Sequence, residues 1–147
     1  MTADYFFMLA VAVHREHFAR VRMLIGAEDL EDERARKLFI ALEECFRAQE
    51  TTEQALLVRI EDPALRSELL ARTASGEFAD APERLIQDGI AAVRRRSLER
   101  RRIALSAKLA GSGGREPALE KDLLAEKMHI DQELERLKVG GDERSGQ

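Results

Sequence analysis

Apolar residues along this chain of 147 residues recur mostly three and four positions apart, which is the spacing of an α-helix. The first helix, expected over about Ala3–Val13, is apolar on every side and therefore predicts a segment buried in a core. A short second helix begins near Phe18 and stops before Gly26. The third, about Asp32–Gln49, is amphipathic. Its apolar stripe consists of Ala35, Leu38, Phe39, Leu42, Cys45 and Phe46.

Capping signals place the starts of the next helices. The stretch Thr51–Gln54 offers an N-cap for a fourth helix. Asp62-Pro63 predicts the start of a fifth helix, because aspartate caps a helix and proline is tolerated in its first turn. Asp80-Ala81-Pro82 repeats that signal. No cluster of helix breakers follows before Gly111, so the sequence predicts one long helix from Pro82 to about Ala110.

The long helix changes its apolar face partway along, and this predicts two packing partners. Its first stripe consists of Leu85, Ile86, Ile90 and Val93, and its second of Leu98, Leu105 and Leu109. A glycine-rich turn at 111–114 and a last helix over about Pro117–Lys138 follow. The last helix has its own stripe of Leu119, Leu123, Ile130, Leu134 and Leu137. The second half of the long helix is therefore expected to form an antiparallel hairpin with it.

These elements predict an all-α protein with no strand. An N-terminal helical subdomain, 1–95, is expected to be a bundle, and the long helix joins it to the C-terminal hairpin, 96–139. A polar tail, 140–147, is expected to be disordered.

Composition narrows the class of protein. Charged residues make up 35% of the chain, and there is a single cysteine, Cys45, which excludes a disulfide framework and indicates a reducing cytoplasm. The apolar run Tyr5–Val13 is far shorter than the roughly 20 residues that cross a bilayer. We therefore expect a cytoplasmic protein without a membrane partner.

Charge is unevenly distributed, and six arginines lie within nine residues: Arg94, Arg95, Arg96, Arg100, Arg101 and Arg102. Residues 1–80 carry 10 basic and 16 acidic groups, 81–110 carry 8 and 3, and 111–147 carry 6 and 9. The arginines could bind nucleic-acid phosphates, or they could pair with the acidic bundle and hairpin. The overall charge of −4 argues against a dedicated nucleic-acid binder, but a weak DNA contact stays open.

The sequence offers no set of side chains with the types and spacing that catalysis needs. His14 and His17 are three residues apart without further ligands, so we expect polar capping and no metal site. The glycine cluster lacks the Gly-Lys-Ser/Thr ending of a phosphate-binding loop. We expect no catalytic, metal-binding or cofactor-binding residue, no cofactor and no small-molecule substrate.

Two apolar residues of the last helix lie off the hairpin seam. Leu124 and Met128 have no obvious partner within the chain, which indicates a protein-binding surface, although they could also fold back onto the bundle or widen the seam. The expected partner-binding residues are Leu109, Leu123, Leu124, Met128 and Ile130.

The order of these parts resembles the C-terminal, helicase-binding domain of bacterial DNA primase. The resemblance rests on "YFFMLAVAVHREHF", then "LEDERARKLFIALEECF", then "GEFADAPERLIQDGIAAVRRRSLERRR", followed by a charged hairpin. Asp80–Arg102 is the most telling stretch, because in that family a similar helix led by aspartate enters an arginine-rich run. The family's zinc-binding and polymerase domains have no counterpart in these residues.

The resemblance implies a non-catalytic module of a primase, itself a DNA-directed RNA polymerase, acting in the primosome during DNA replication. Its partner would be the N-terminal domains of the hexameric replicative helicase, with effects on priming and unwinding. Those helicase domains resemble the helical subdomain themselves, so a helicase N-terminal domain is one alternative. A helical nucleic-acid-binding domain is the other.

Overall fold

A computed structural model describes residues 1–111 and 117–145, with side chains up to residue 138 in the second range. All regular secondary structure in these residues is helical, which confirms the all-α prediction. The helices are α1 Ala3–Val13, α2 Phe18–Leu24, α3 Glu33–Arg47, α4 Glu53–Arg59, α5 Pro63–Ser75, α6 Pro82–Ala110 and α7 Pro117–Ser145. Single 3₁₀ turns lie at Arg15–His17 and Ala27–Asp29.

Local capping explains where the helices begin and end. The Thr52 hydroxyl accepts a hydrogen bond from the Ala55 N–H, and the Asp62 carboxylate accepts one from the Ala64 N–H. Each cap satisfies a backbone donor that the first turn of a helix leaves unpaired. Helix α5 ends at Gly76, whose φ of 68° is left-handed and suits glycine.

The chain divides into two compact units, Met1–Val93 and Arg94–Gln147, and the boundary lies within α6. The sequence-based prediction placed it two residues later, after position 95.

The first unit is built around α1. This helix packs against α3 and α5, and its residues from Phe7 to Ala12 are buried. The early part of α6 supplies Ile86, Ile90 and Val93 to the same core. The predicted burial of α1 and of the first α6 stripe is therefore confirmed.

Two features of α3 differ from prediction. Phe46, expected in the buried stripe, is 43% exposed. Its ring packs instead beneath the guanidinium of Arg22, whose Cζ lies 4.3 Å from the ring centre. Glu43, which lies outside the predicted apolar stripe, is mostly covered because Arg22 binds it from α2. The period of a single helix cannot show which of its flanks a neighbouring helix covers.

The last helix is longer than predicted, since α7 continues past Lys138 to Ser145. Glycine lowers helix propensity by about 1 kcal/mol relative to alanine but blocks no helical hydrogen bond, so Gly140 and Gly141 do not force an end. The predicted turn residues 112–114 lie outside the described residues, as do the last two residues of the predicted disordered tail. None of the helices in the described ranges is both long and apolar enough to cross a bilayer.

Candidate partner-binding surface

Ion pairs define the second unit as an antiparallel hairpin of α6 and α7. Arg94 Nη2 lies 3.6 Å from Glu133 Oε2. Arg101, seven residues further along α6, lies 3.5 Å from Glu126, seven residues back along α7. Because the contact moves backward on α7 as it moves forward on α6, the two helices run in opposite directions.

The hairpin has a narrow apolar seam. Leu105 of α6 and Ile130 of α7 are buried, and Ile130 is only 1% exposed. Other seam residues are half-buried: Leu98, Leu109, Leu123, Leu134 and Leu137. Ile130, which we expected to contact a partner, is therefore enclosed within the chain and cannot offer its side chain to one. Leu109 and Leu123 remain partly accessible at the seam.

Leu124 and Met128 form an exposed apolar pair on α7. Leu124 is 52% exposed and Met128 is 62% exposed. They are four residues apart and therefore neighbours on one helical face, away from the seam residue Ile130. Both side chains are more than half exposed, so neither widens the buried seam of the hairpin.

At least half of the arginine cluster is engaged within the hairpin. Arg94 and Arg101 pair with α7 as described above, and Arg102 lies 2.8 Å from Glu99 and 3.9 Å from Asp131. Arg96 and Arg100 also take part in interactions within the chain. The cluster therefore serves, at least in part, to hold α7 against α6 in its antiparallel register.

Arg95 lines a groove of about 730 Å³ between the two hairpin helices. The other lining residues are Glu99, Arg102, Asp131, Leu134, Glu135 and Lys138. Three basic and three acidic groups surround a single leucine. This mixture of charges is not the uniformly positive surface that binds a phosphate backbone.

A cluster of charges between α2 and α3 was not predicted. Arg22 donates two hydrogen bonds to the Glu43 carboxylate, at 2.8 and 2.6 Å, and Arg47 donates a third at 2.9 Å. The hydrogen bonds from Arg22, together with the one from Arg47, lower the pKa of Glu43 to about 2. No spacing in the sequence links position 22 to position 43, so this contact needed the fold.

The histidines and the cysteine have structural surroundings. His14 Nε2 lies 2.7 Å from the Phe78 carbonyl oxygen, consistent with the expected polar contact, and Cys45 is buried as expected of a core residue. Within the described part of the chain, no group of three or more potential ligands could hold a metal ion.

Comparison with known proteins finds a relative of this chain. The chain is 36% identical over 141 residues to the DNA primase of Treponema pallidum (strain Nichols). The chain is related to DNA primase. The match covers 93% of this chain but 23% of that primase, so the chain spans about a quarter of its relative's length. No protein-family model matches the chain, and no solved structure does. The predicted resemblance to primase is thus confirmed.

Proposed function

We propose that this chain is the helicase-binding module of a DNA primase. In this proposal the module docks the primase, a DNA-directed RNA polymerase, onto the N-terminal domains of the hexameric replicative helicase in the cytoplasm. It performs no chemistry itself. By holding primase at the fork during DNA replication, it sets how often priming accompanies unwinding.

The observation that carries the proposal is the exposed pair Leu124 and Met128 in a chain related to primase. Burying apolar surface is favourable by about 25 cal/mol per Å², so a partner that covers both side chains gains affinity from them. Methionine adds an adaptable contact, because its unbranched side chain can fill irregular depressions. Leu109 and Leu123, half-buried at the seam, would contribute at the edge of the same contact.

The hairpin is well suited to present this pair. Ion pairs from Arg94, Arg101 and Arg102 hold α7 against α6, and Ile130 anchors its inner face. The outer face is therefore ordered before a partner arrives, which reduces the conformational entropy lost on binding.

Calorimetric titration with the hexameric replicative helicase of the same organism tests the proposal. Leu124→Glu with Met128→Glu is expected to weaken binding by roughly 10- to 100-fold, the range for losing two contacts of a binding hot spot. Glutamate keeps good helix propensity, so far-UV circular dichroism should not change.

Ile103→Glu is the matched control. Ile103 is 64% exposed, as accessible as Met128, but it lies on α6. Its substitution is expected to leave helicase affinity unchanged. Equal weakening by both sets of substitutions, or unchanged affinity in the double variant, would contradict the assignment of this face.

A further inference from the structure

The outer face of α7 has charges placed symmetrically around its apolar pair. Lys121, Leu124, Met128 and Glu135 are separated by three, four and seven residues, so they lie along one stripe of the helix. All four are exposed. Met128 is the midpoint, because Lys121 precedes it by seven residues and Glu135 follows it by seven. Each charge is therefore about 10 Å from Met128 along the helix axis.

We propose that this stripe binds a second copy of the chain, with the two α7 helices antiparallel and a two-fold axis at Met128. Such an axis places Met128 against Met128 of the second copy. Leu124 then lies beside this pair of methionines. It also places each Lys121 opposite Glu135 of the other copy, on both sides of the axis. The same patch on both subunits is then its own complement, as a two-fold interface requires.

The charges favour an antiparallel pair of α7 helices over a parallel pair. A parallel pair of α7 helices would set Lys121 against Lys121 and Glu135 against Glu135, and like charges that face each other are repulsive. Neither Lys121 nor Glu135 forms an ion pair with another residue in the described part of the chain. Both groups therefore remain available to a second copy.

The interface is small, so the dimer is expected to be weak and transient, as is usual for contacts well below about 1,200 Å². Its consequence rests on the proposed function: if the helicase uses Leu124 and Met128, the dimer and the helicase complex exclude each other. Self-association would then cover the apolar pair until helicase displaces the second copy.

Sedimentation equilibrium of the chain alone, at rising concentration into the millimolar range and at low salt, tests the dimer. Lys121→Glu and Glu135→Lys should each weaken self-association by about tenfold, since each turns two attractive surface pairs into repulsive ones. Mixing the two single variants in equal amounts should restore association, because every facing pair is then opposite in charge. The double variant should associate like the original chain for the same reason.

Arg20→Glu and Glu53→Lys are the controls, because they make the same charge changes at exposed positions of the first unit. They should leave the dimer unchanged. A chain that stays monomeric at millimolar concentration overturns the proposal, and so does a mixture of single variants that fails to recover. Helicase titration is a separate measurement, so a monomeric chain that still binds helicase refutes the dimer alone.

Discussion

The ring of Phe7 occupies the space beside Gly89 that any larger side chain would need. A Cβ atom built on Gly89 would lie 2.2 Å from Cδ2 of Phe7 and 2.7 Å from Cε2. Because Phe7 is buried in the centre of the first unit, its ring has little room to move away. This single glycine allows α6 to pack closely on α1.

Gly89→Ala is therefore expected to destabilise the first unit by about 1–3 kcal/mol, as overpacking of a core does, although alanine is the better helix former. Urea denaturation gives the free energy of unfolding. Phe7→Leu should recover part of the loss in the double variant because it removes the obstructing ring. Gly111→Ala is the control, since its nearest atom would be at an ordinary 3.6 Å. A stabilising Gly89→Ala would contradict the close approach.

Glu43 should make stability depend on pH in the acid range. Its pKa is lowered from 4.5 to about 2 by Arg22 and Arg47. A carboxyl with a lowered folded-state pKa stabilises the protein above its unfolded pKa and loses that contribution as pH falls towards 2. Glu43→Gln should therefore reduce stability at pH 7, and its difference from the original chain should shrink between about pH 5 and pH 2.

Urea denaturation at several pH values measures this effect. Glu44→Gln is the neighbouring control, because Glu44 is half exposed and meets Arg59 in one contact of 3.3 Å. We expect its effect to be small, as for most surface pairs. A Glu43→Gln effect that is constant from pH 7 to pH 3 would refute the role of the charged carboxylate.

Ile130 and Met128 are two residues apart but should behave in opposite ways. Ile130→Ala is expected to destabilise the hairpin by about 2–4 kcal/mol, because it empties a buried position. Met128→Ala should change stability by no more than about 0.5 kcal/mol, as exposed substitutions usually do. Thermal melting followed by circular dichroism separates the two. Similar losses for both would mean that Met128 is part of the hairpin core.

DNA binding through the arginine cluster should be weak. Arg94, Arg101 and Arg102 pair within the hairpin, and Arg96 and Arg100 also take part in interactions within the chain, so fewer than six arginines can contact phosphates. The logarithm of the binding constant should then fall with the logarithm of salt concentration at a slope clearly shallower than the value of about −5 for six contacts. Fluorescence anisotropy with a labelled duplex measures the slope. A value near −5 would favour the nucleic-acid-binding alternative.

Helix boundaries could be read from the sequence wherever the signal is local. The starts at Pro63 and Pro82, and the extent of α1, follow from caps, prolines and a continuous apolar run. The exposure of Leu124 and Met128 was also predictable, because both depart from the period of the seam.

Contacts between helices distant in sequence could not be read in this way. The exposed Phe46 and the shielded Glu43 both depend on Arg22, which comes from another helix. Ile130 fits both a seam and a partner surface by its spacing, and only its burial distinguishes them. The pairing of Arg94 with Glu133 required the register of α6 on α7, which no local pattern sets.

Helix α6 supplies Ile86, Ile90 and Val93 to the core of the first unit, and its later residues form one helix of the hairpin. The backbone amides of this one continuous helix therefore belong to two different units, the first up to Val93 and the second from Arg94. In hydrogen–deuterium exchange, amides up to Val93 should open only when the larger core melts. Amides from Arg94 onward should exchange sooner, because the smaller hairpin unfolds locally more readily than the larger core. Helix α6 would thus show two levels of protection against hydrogen exchange.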